Sequence, residues 1–182
     1  MAVIRETRSV SNFDEIALQG MGEIRLTQGD TESLVIETEE SVLPRIKSEV
    51  FSGRLELGPK SWLDTVFMLG VKIVYHITVK NLRALSISGS GDLYAGDLQS
   101  ERLKLSISGS GNIEITRLAA ADLGLTISGS GKSRLAGLIP VGWYPGALAV
   151  DVRRAALCVA NIKGIGSTQR IEPGKPVKFN SH

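Results

Sequence analysis

Cysteine is almost absent from this 182-residue chain. Cys158 is the single one, so no disulfide forms within the chain and no cysteine cluster holds a metal. It sits in the apolar run AALCVANI, where nothing nearby would lower its pKa, and reads as a buried, inert thiol. Histidine is nearly as scarce: His76 and His182 are the only two, and no His, Asp and Glu set stands at metal-ligand spacing. The residues therefore nominate no catalytic centre, no metal site and no cofactor. Charge of one sign is missing too. Lys and Arg number 21 against 19 Asp and Glu, a net charge of +2 spread along the chain. That is not the concentrated basic face a nucleic acid requires, and Arg153-Arg154 reads as a solvated pair. No run approaches the roughly 18 apolar residues of a membrane-spanning helix. The opening MAVIRETRSVSNFDEI carries Arg5, Glu6 and Arg8 and has no apolar stretch of a secretory leader, so the sequence as it stands reads as cytoplasmic.

What is present is an ordinary globular balance, 42% hydrophobic and 22% charged, with 20 glycines, several of them in one recurring setting. Ile-Ser-Gly-Ser-Gly begins at Ile87, Ile107 and Ile127, a spacing of 20 residues. A phosphate cradle is needed once, whereas a motif at one short period marks a repeating architecture. Residues 20 apart fall into columns: Leu85, Leu105, Leu125; Ile87, Ile107, Ile127; Leu98, Leu118, Leu138; and Ala95, Ile115, Leu135. Hydroxyls alternate with them: Ser86, Ser106, Thr126 and Ser88, Ser108, Ser128. Alternation of period two puts the aliphatic side chains on one side of a strand and the hydroxyls on the other. The pattern predicts an all-β right-handed parallel β-helix, a solenoid of about 20 residues per coil. Residues 1–182 read as a single domain with a regular repeat block at 82–138. Pro140 and Pro145 mark an irregular crossing, and residues 139–182 read as a divergent C-terminal coil or cap. A leucine-rich repeat has a similar period but expects a recurring Asn, and its column here holds Asp92, Asn112 and Lys132.

Upstream, Ile16, Leu18, Ile24 and Leu26 alternate around Gly20 and Gly22, and LQGMGEIRLT lies over ISGSGNIEIT. Ile46 to Val50 and Leu55 to Leu57 read as a hairpin around Ser52-Gly53. In VKIVYHITVK one face carries Val71, Ile73, Tyr75, Ile77 and Val79, leaving His76 exposed on the other.

The chemical motifs fail in detail. Gly-x-Gly-x-x-Gly would need glycine where Tyr94, Glu114 and Arg134 stand. A phosphate loop before Gly131-Lys132-Ser133 would need glycine at Thr126. A nucleophile elbow needs glycine two residues before its serine, and Ser88 has Ser86 there. A polysaccharide-cleaving site would need Asp92, Asp97, Asp122 and Lys132 to converge; they read as scattered solvated charges.

Two features could carry binding. One is the hydroxyl ladder Ser86, Ser88, Ser106, Ser108, Thr126 and Ser128, an array suited to ice or a glycan. The other is the aromatic set of SWLDTVFML and GWYPG: Trp62, Phe67, Trp143 and Tyr144, with Met68 beside them. These residues could cap the ends of the fold or form a self-association surface.

The segments FDEIALQGMGEIRLTQGD and IVYHITVKNLRALSISGSGDLYAGDL, with the repeated LSISGSG, resemble the bacterial putative auto-transporter adhesin, head GIN domain family, over roughly residues 8 to 138. The resemblance implies a right-handed parallel β-helix and an adhesin-like role at the envelope or outside the cell, and it carries over no catalytic residues. The first expectation is thus a non-enzymatic interaction module whose partner is a second copy of itself, as a homo-oligomer, or a surface glycan or protein. The alternative is a carbohydrate-binding or carbohydrate-active protein on the same scaffold.

Overall fold

The computed structural model describes residues 2–141, 144–152, 157–163 and 169–170. The alternating segments form strands: β1 Val3–Arg8, β2 Glu15–Gly20, β3 Glu23–Gln28, β4 Ser33–Glu39, β5 Ile46–Phe51, β6 Arg54–Pro59, β7 Val74–Val79 and β8 Ala84–Gly89. They continue as β9 Asp92–Gly109, β10 Asn112–Gly129, β11 Lys132–Val141, β12 Tyr144–Val152, β13 Leu157–Lys163 and β14 Gln169–Arg170. One helix, α1 Trp62–Met68, interrupts the strands between β6 and β7, and a 3-10 turn at Leu43–Arg45 precedes β5.

Two ladders share the long strands β9 and β10. In the first, β2 pairs in parallel with both β6 and β8, and β8 with the second half of β9. Its core rows are therefore Leu55, Ile16, Leu85, Leu105, Leu125 and Leu57, Leu18, Ile87, Ile107, Ile127. In the second, the order is β1, β4, β7, β3, then the first halves of β9 and β10, then β11, β12 and β14. Its inner rows carry Ile36, Tyr75, Ile24, Leu93, Ile113 and Leu34, Ile77, Leu26, Ala95, Ile115, Leu135. All of these side chains are buried and belong to one hydrophobic cluster. Each fully buried Leu or Ile contributes about 1.5–3 kcal/mol, so the shared core is what holds the two ladders face to face.

The glycines of the repeat answer to the spacing of the strands. Gly20, Gly89, Gly109 and Gly129 stack in register. The last three have φ of +126°, +128° and +122°, and a Cβ on each would run into the carbonyl oxygen of the glycine before it in the stack. That carbonyl instead accepts a backbone hydrogen bond: Ser90 N donates to Gly20 O at 2.8 Å, Ser110 N to Gly89 O at 2.8 Å and Ser130 N to Gly109 O at 2.9 Å. Only a residue without a side chain permits this approach.

The expected right-handed parallel β-helix is not what forms. In such a solenoid every strand pairs in parallel with the coil before and after it. Here β1 with β4, β4 with β7, β5 with β6, β10 with β13 and β11 with β12 are antiparallel. The fold is all-β, but it is one mixed sheet curled nearly closed, like a barrel, around its core. The repeat does align β8, β9 and β10 at intervals of 20 residues, but the strands around them arrive by hairpins and crossovers. The column Leu98, Leu118, Leu138 also breaks: a register shift after Ile115 sets Leu118 opposite Gly137. Pro140 and Pro145 stand opposite each other in the register of the antiparallel β11–β12 pair. The hairpin around Ser52-Gly53 forms as β5 and β6, with φ of 49° and 80° at its two turn residues, as a type I′ turn requires.

Candidate interaction surface

The segment SWLDTVFML forms α1 and its flanks. Ser61 caps it: its Oγ accepts from Asp64 N at 3.3 Å and donates to Asp64 Oδ2 at 2.6 Å, a reciprocal cap of the S-x-x-D kind. At the other end Val71 N donates to Met68 O at 3.1 Å, and Gly70 turns the chain at φ +77°. Met68, beside Trp62 and Phe67 in the sequence, is buried at 1% exposure and is the residue that seats the helix on the core. The remaining apolar side chains face outward. Trp62 is 76% exposed, Leu63 50%, Val66 57%, Phe67 60% and Leu69 61%. The pairs Trp62/Val66 and Leu63/Phe67 are four residues apart and so lie side by side on the helix. Arg45 braces this patch: its guanidinium carbon lies 4.1 Å from the centre of the Phe67 ring, and its Nη1 lies 2.9 Å from Asp64 Oδ1. The Ser61 hydroxyl and Arg45 hold the Asp64 carboxyl below its ordinary pKa, so the one acid on the helix stays ionised and paired.

The structure thus brings Trp62 and Phe67 together and adds Leu63, Val66 and Leu69, which sequence reading passed over. Their signal was available: an eight-residue stretch with helical spacing between a serine cap, Ser61, and a glycine, Gly70. Tyr144 begins β12 opposite Val141 in the second ladder, whereas α1 packs against β6 of the first. Trp143 lies outside the described residues.

The six ladder hydroxyls fall in two rows on the outer face of the first ladder, Ser86, Ser106, Thr126 and Ser88, Ser108, Ser128. Ser86, Ser88, Ser108 and Ser128 are exposed, and Ser106 and Thr126 are half-buried. Ser90, Ser110 and Ser130, at the bend, are exposed as well and extend the array by a third row. Neighbouring strands are about 4.8 Å apart, so the rows form a regular grid of hydroxyl donors and acceptors.

The charged residues do not converge. Asp92 Oδ1 accepts from both Asn112 N at 3.0 Å and Asn112 Nδ2 at 2.6 Å, with Lys132 one strand further along the same row. Asp97 pairs with Arg117, both contacts 2.6 Å, beside a cavity of about 610 Å³ bordered by Gln28, Lys80 and Gln99. Asp122 stands opposite Arg102 and Lys163. Among the described residues no three His, Cys, Asp or Glu side chains gather to hold a metal ion. His76 is half-buried rather than exposed, with Nε2 3.2 Å from Glu37 Oε2, and Glu37 also pairs with Arg5 at 2.7 Å. These contacts hold the Glu37 carboxyl below its ordinary pKa, His76 first and Arg5 second.

The all-β fold thus carries a hydroxyl grid on one face and an apolar helix raised from the core. Residues 12–144 match the family described as putative auto-transporter adhesin, head GIN domain, and the chain belongs to that family. Solved structures share the fold. A putative adhesin from Bacteroides fragilis NCTC 9343 shares 25% identity at a TM-score of 0.64, over 75% of this chain and 63% of that one. A putative lipid binding protein from Parabacteroides distasonis ATCC 8503 shares 22% identity at a TM-score of 0.54, over 71% of this chain and 62% of that one. A putative adhesin from the same organism shares 18% identity at a TM-score of 0.51, over 71% and 63%. The chain therefore spans less than two thirds of these relatives' length. No curated protein matches it. Among the described residues no helix is long and apolar enough to cross a membrane.

Proposed function

We propose that the chain is a non-enzymatic, adhesin-like interaction module of the bacterial envelope, and that α1 is its contact surface. The observation that carries this reading is the set of five apolar side chains of α1 and Leu69, each at least half exposed, on a helix that Met68 and Arg45 fix in place. Isolated exposed apolar residues are ordinary, but a contiguous cluster on a braced element marks a site of association. The family's adhesin description is consistent with such a role.

The test is attachment. The full chain and a Trp62→Ser/Phe67→Ser variant, matched in circular dichroism, are sedimented with washed bacterial envelope fractions. The expected result is retention of the wild type and loss of most retention in the variant. Equal retention of the two would overturn the role of α1.

A second reading, glycan binding, rests on the in-register grid of Ser86, Ser88, Ser106, Ser108, Thr126 and Ser128. It expects signal on a glycan array that Ser88→Val/Ser108→Val removes.

A further inference from the structure

The α1 patch has a composition that selects among partners. Its outward side chains are tryptophan, phenylalanine, leucine and valine, and exposed lysines stand on both flanks, Lys60 before the cap and Lys72 after the Gly70 turn. The only acid in the helix, Asp64, is held by Ser61 and by Arg45, which itself lies over Phe67. The patch therefore offers apolar rings at its tip and exposed lysines at its rim.

A protein partner suits this poorly. A seven-residue helix is about 10 Å long and about 10–12 Å across, and its outer face falls far short of the roughly 800 Å² per partner of a stable protein interface. A lipid surface needs no matching shape. Aromatic and aliphatic side chains partition into the boundary between headgroups and acyl chains, and flanking lysines meet anionic headgroups.

Building on the reading of α1 as the contact surface, we infer that its occupant is an anionic lipid surface, into which Trp62, Leu63, Val66, Phe67 and Leu69 insert while Lys60 and Lys72 face the headgroups. The burial of Met68 and the brace from Arg45 keep the five side chains outward before contact, so little ordering is left to accomplish on binding.

The experiment uses the full chain with vesicles of phosphatidylglycerol and phosphatidylcholine, and vesicles of phosphatidylcholine alone. Binding is followed by co-sedimentation. In a Trp143→Phe background, the emission of Trp62 is followed as well. The expected results are a blue shift on the anionic vesicles and at least tenfold weaker partition for Trp62→Ser/Phe67→Ser. Lys60→Glu/Lys72→Glu should bind the anionic vesicles at least threefold more weakly and the neutral ones unchanged. Absence of wild-type binding to both vesicle types, or equal binding by the apolar variant, would overturn the proposal. Retention on envelope fractions without vesicle binding would overturn the lipid assignment and leave the contact role of α1 standing. A concentration-dependent mass in light scattering that Trp62→Ser abolishes, again without vesicle binding, would instead assign the patch to a second copy of the chain.

Discussion

Gly109 lies against Gly89 so closely that the carbonyl oxygen of Gly89 occupies the space a Cβ on Gly109 would need. The same relationship joins Gly89 to Gly20 and Gly129 to Gly109. It makes the glycine of the repeat a condition of strand approach, and φ of +128° at Gly109 adds a backbone penalty for any other residue.

Gly109→Ala is therefore expected to destabilise the fold by about 2–4 kcal/mol, from overpacking and strain together. Gly96→Ala is the control: nothing lies within 4 Å of its Cβ position, and a change within about 0.5 kcal/mol is expected. Urea midpoints of the two variants check this. Equal shifts would show that the glycine stack does not govern stability.

Ile107 sits fully buried between Ile87 and Ile127. Ile107→Ala should cost about 2–5 kcal/mol, the transfer loss plus a cavity. A melting shift no larger than that of an exposed residue such as Ser108 would contradict the packing described.

Tyr75 lies in register between Ile24 and Ile36, and its buried hydroxyl has no protein partner. Burial also pushes its phenol well above the ordinary pKa. Tyr75→Phe removes an unpaired polar atom and keeps the ring, so stability should be unchanged or should rise by about 1 kcal/mol. A clear loss in thermal melting would mean that the hydroxyl is bonded.

Glu37, Glu56 and Asp64 all have carboxyl pKa values lowered by the fold, through His76 and Arg5, through Lys47, and through Ser61 and Arg45. Unfolded, each binds its proton more tightly than when folded. The stability they contribute is complete above the ordinary glutamate value of 4.5 and is lost as pH falls through the lower folded values. Melting temperature should be level from pH 7 to 5 and fall below pH 4.5. Glu37→Gln should make that acid limb shallower, and an unchanged limb would remove Glu37 from the account.

Much of this fold could be read in the chain before the structure. The columns through Ile87, Ile107 and Ile127 are the true pairing register of β8, β9 and β10, because identical residues 20 apart can meet only if the strands align at that offset. Apart from the β5–β6 hairpin, the direction of the other pairings could not be read. A strand such as Ser33–Glu39 alternates in the same way whether its neighbour runs with it or against it, and its antiparallel pairing with β1 and β7 depends on contacts far away in sequence. The β-helix expectation failed at this point. Of the apolar α1 patch, Trp62 and Phe67 were legible as unusual residues, but the inward turn of Met68 was not. Hydrophobic type alone does not say which member of an apolar run faces the core.

The long strands β9 and β10 each pair in both ladders, first beside β3 and β11, then beside β8 and β13. The two walls of the core are thereby joined by unbroken main chain. Tension applied to one wall passes to the other along covalent bonds, so prising the walls apart must pull on both long strands. A module that holds on at a surface under flow would bear load as one body.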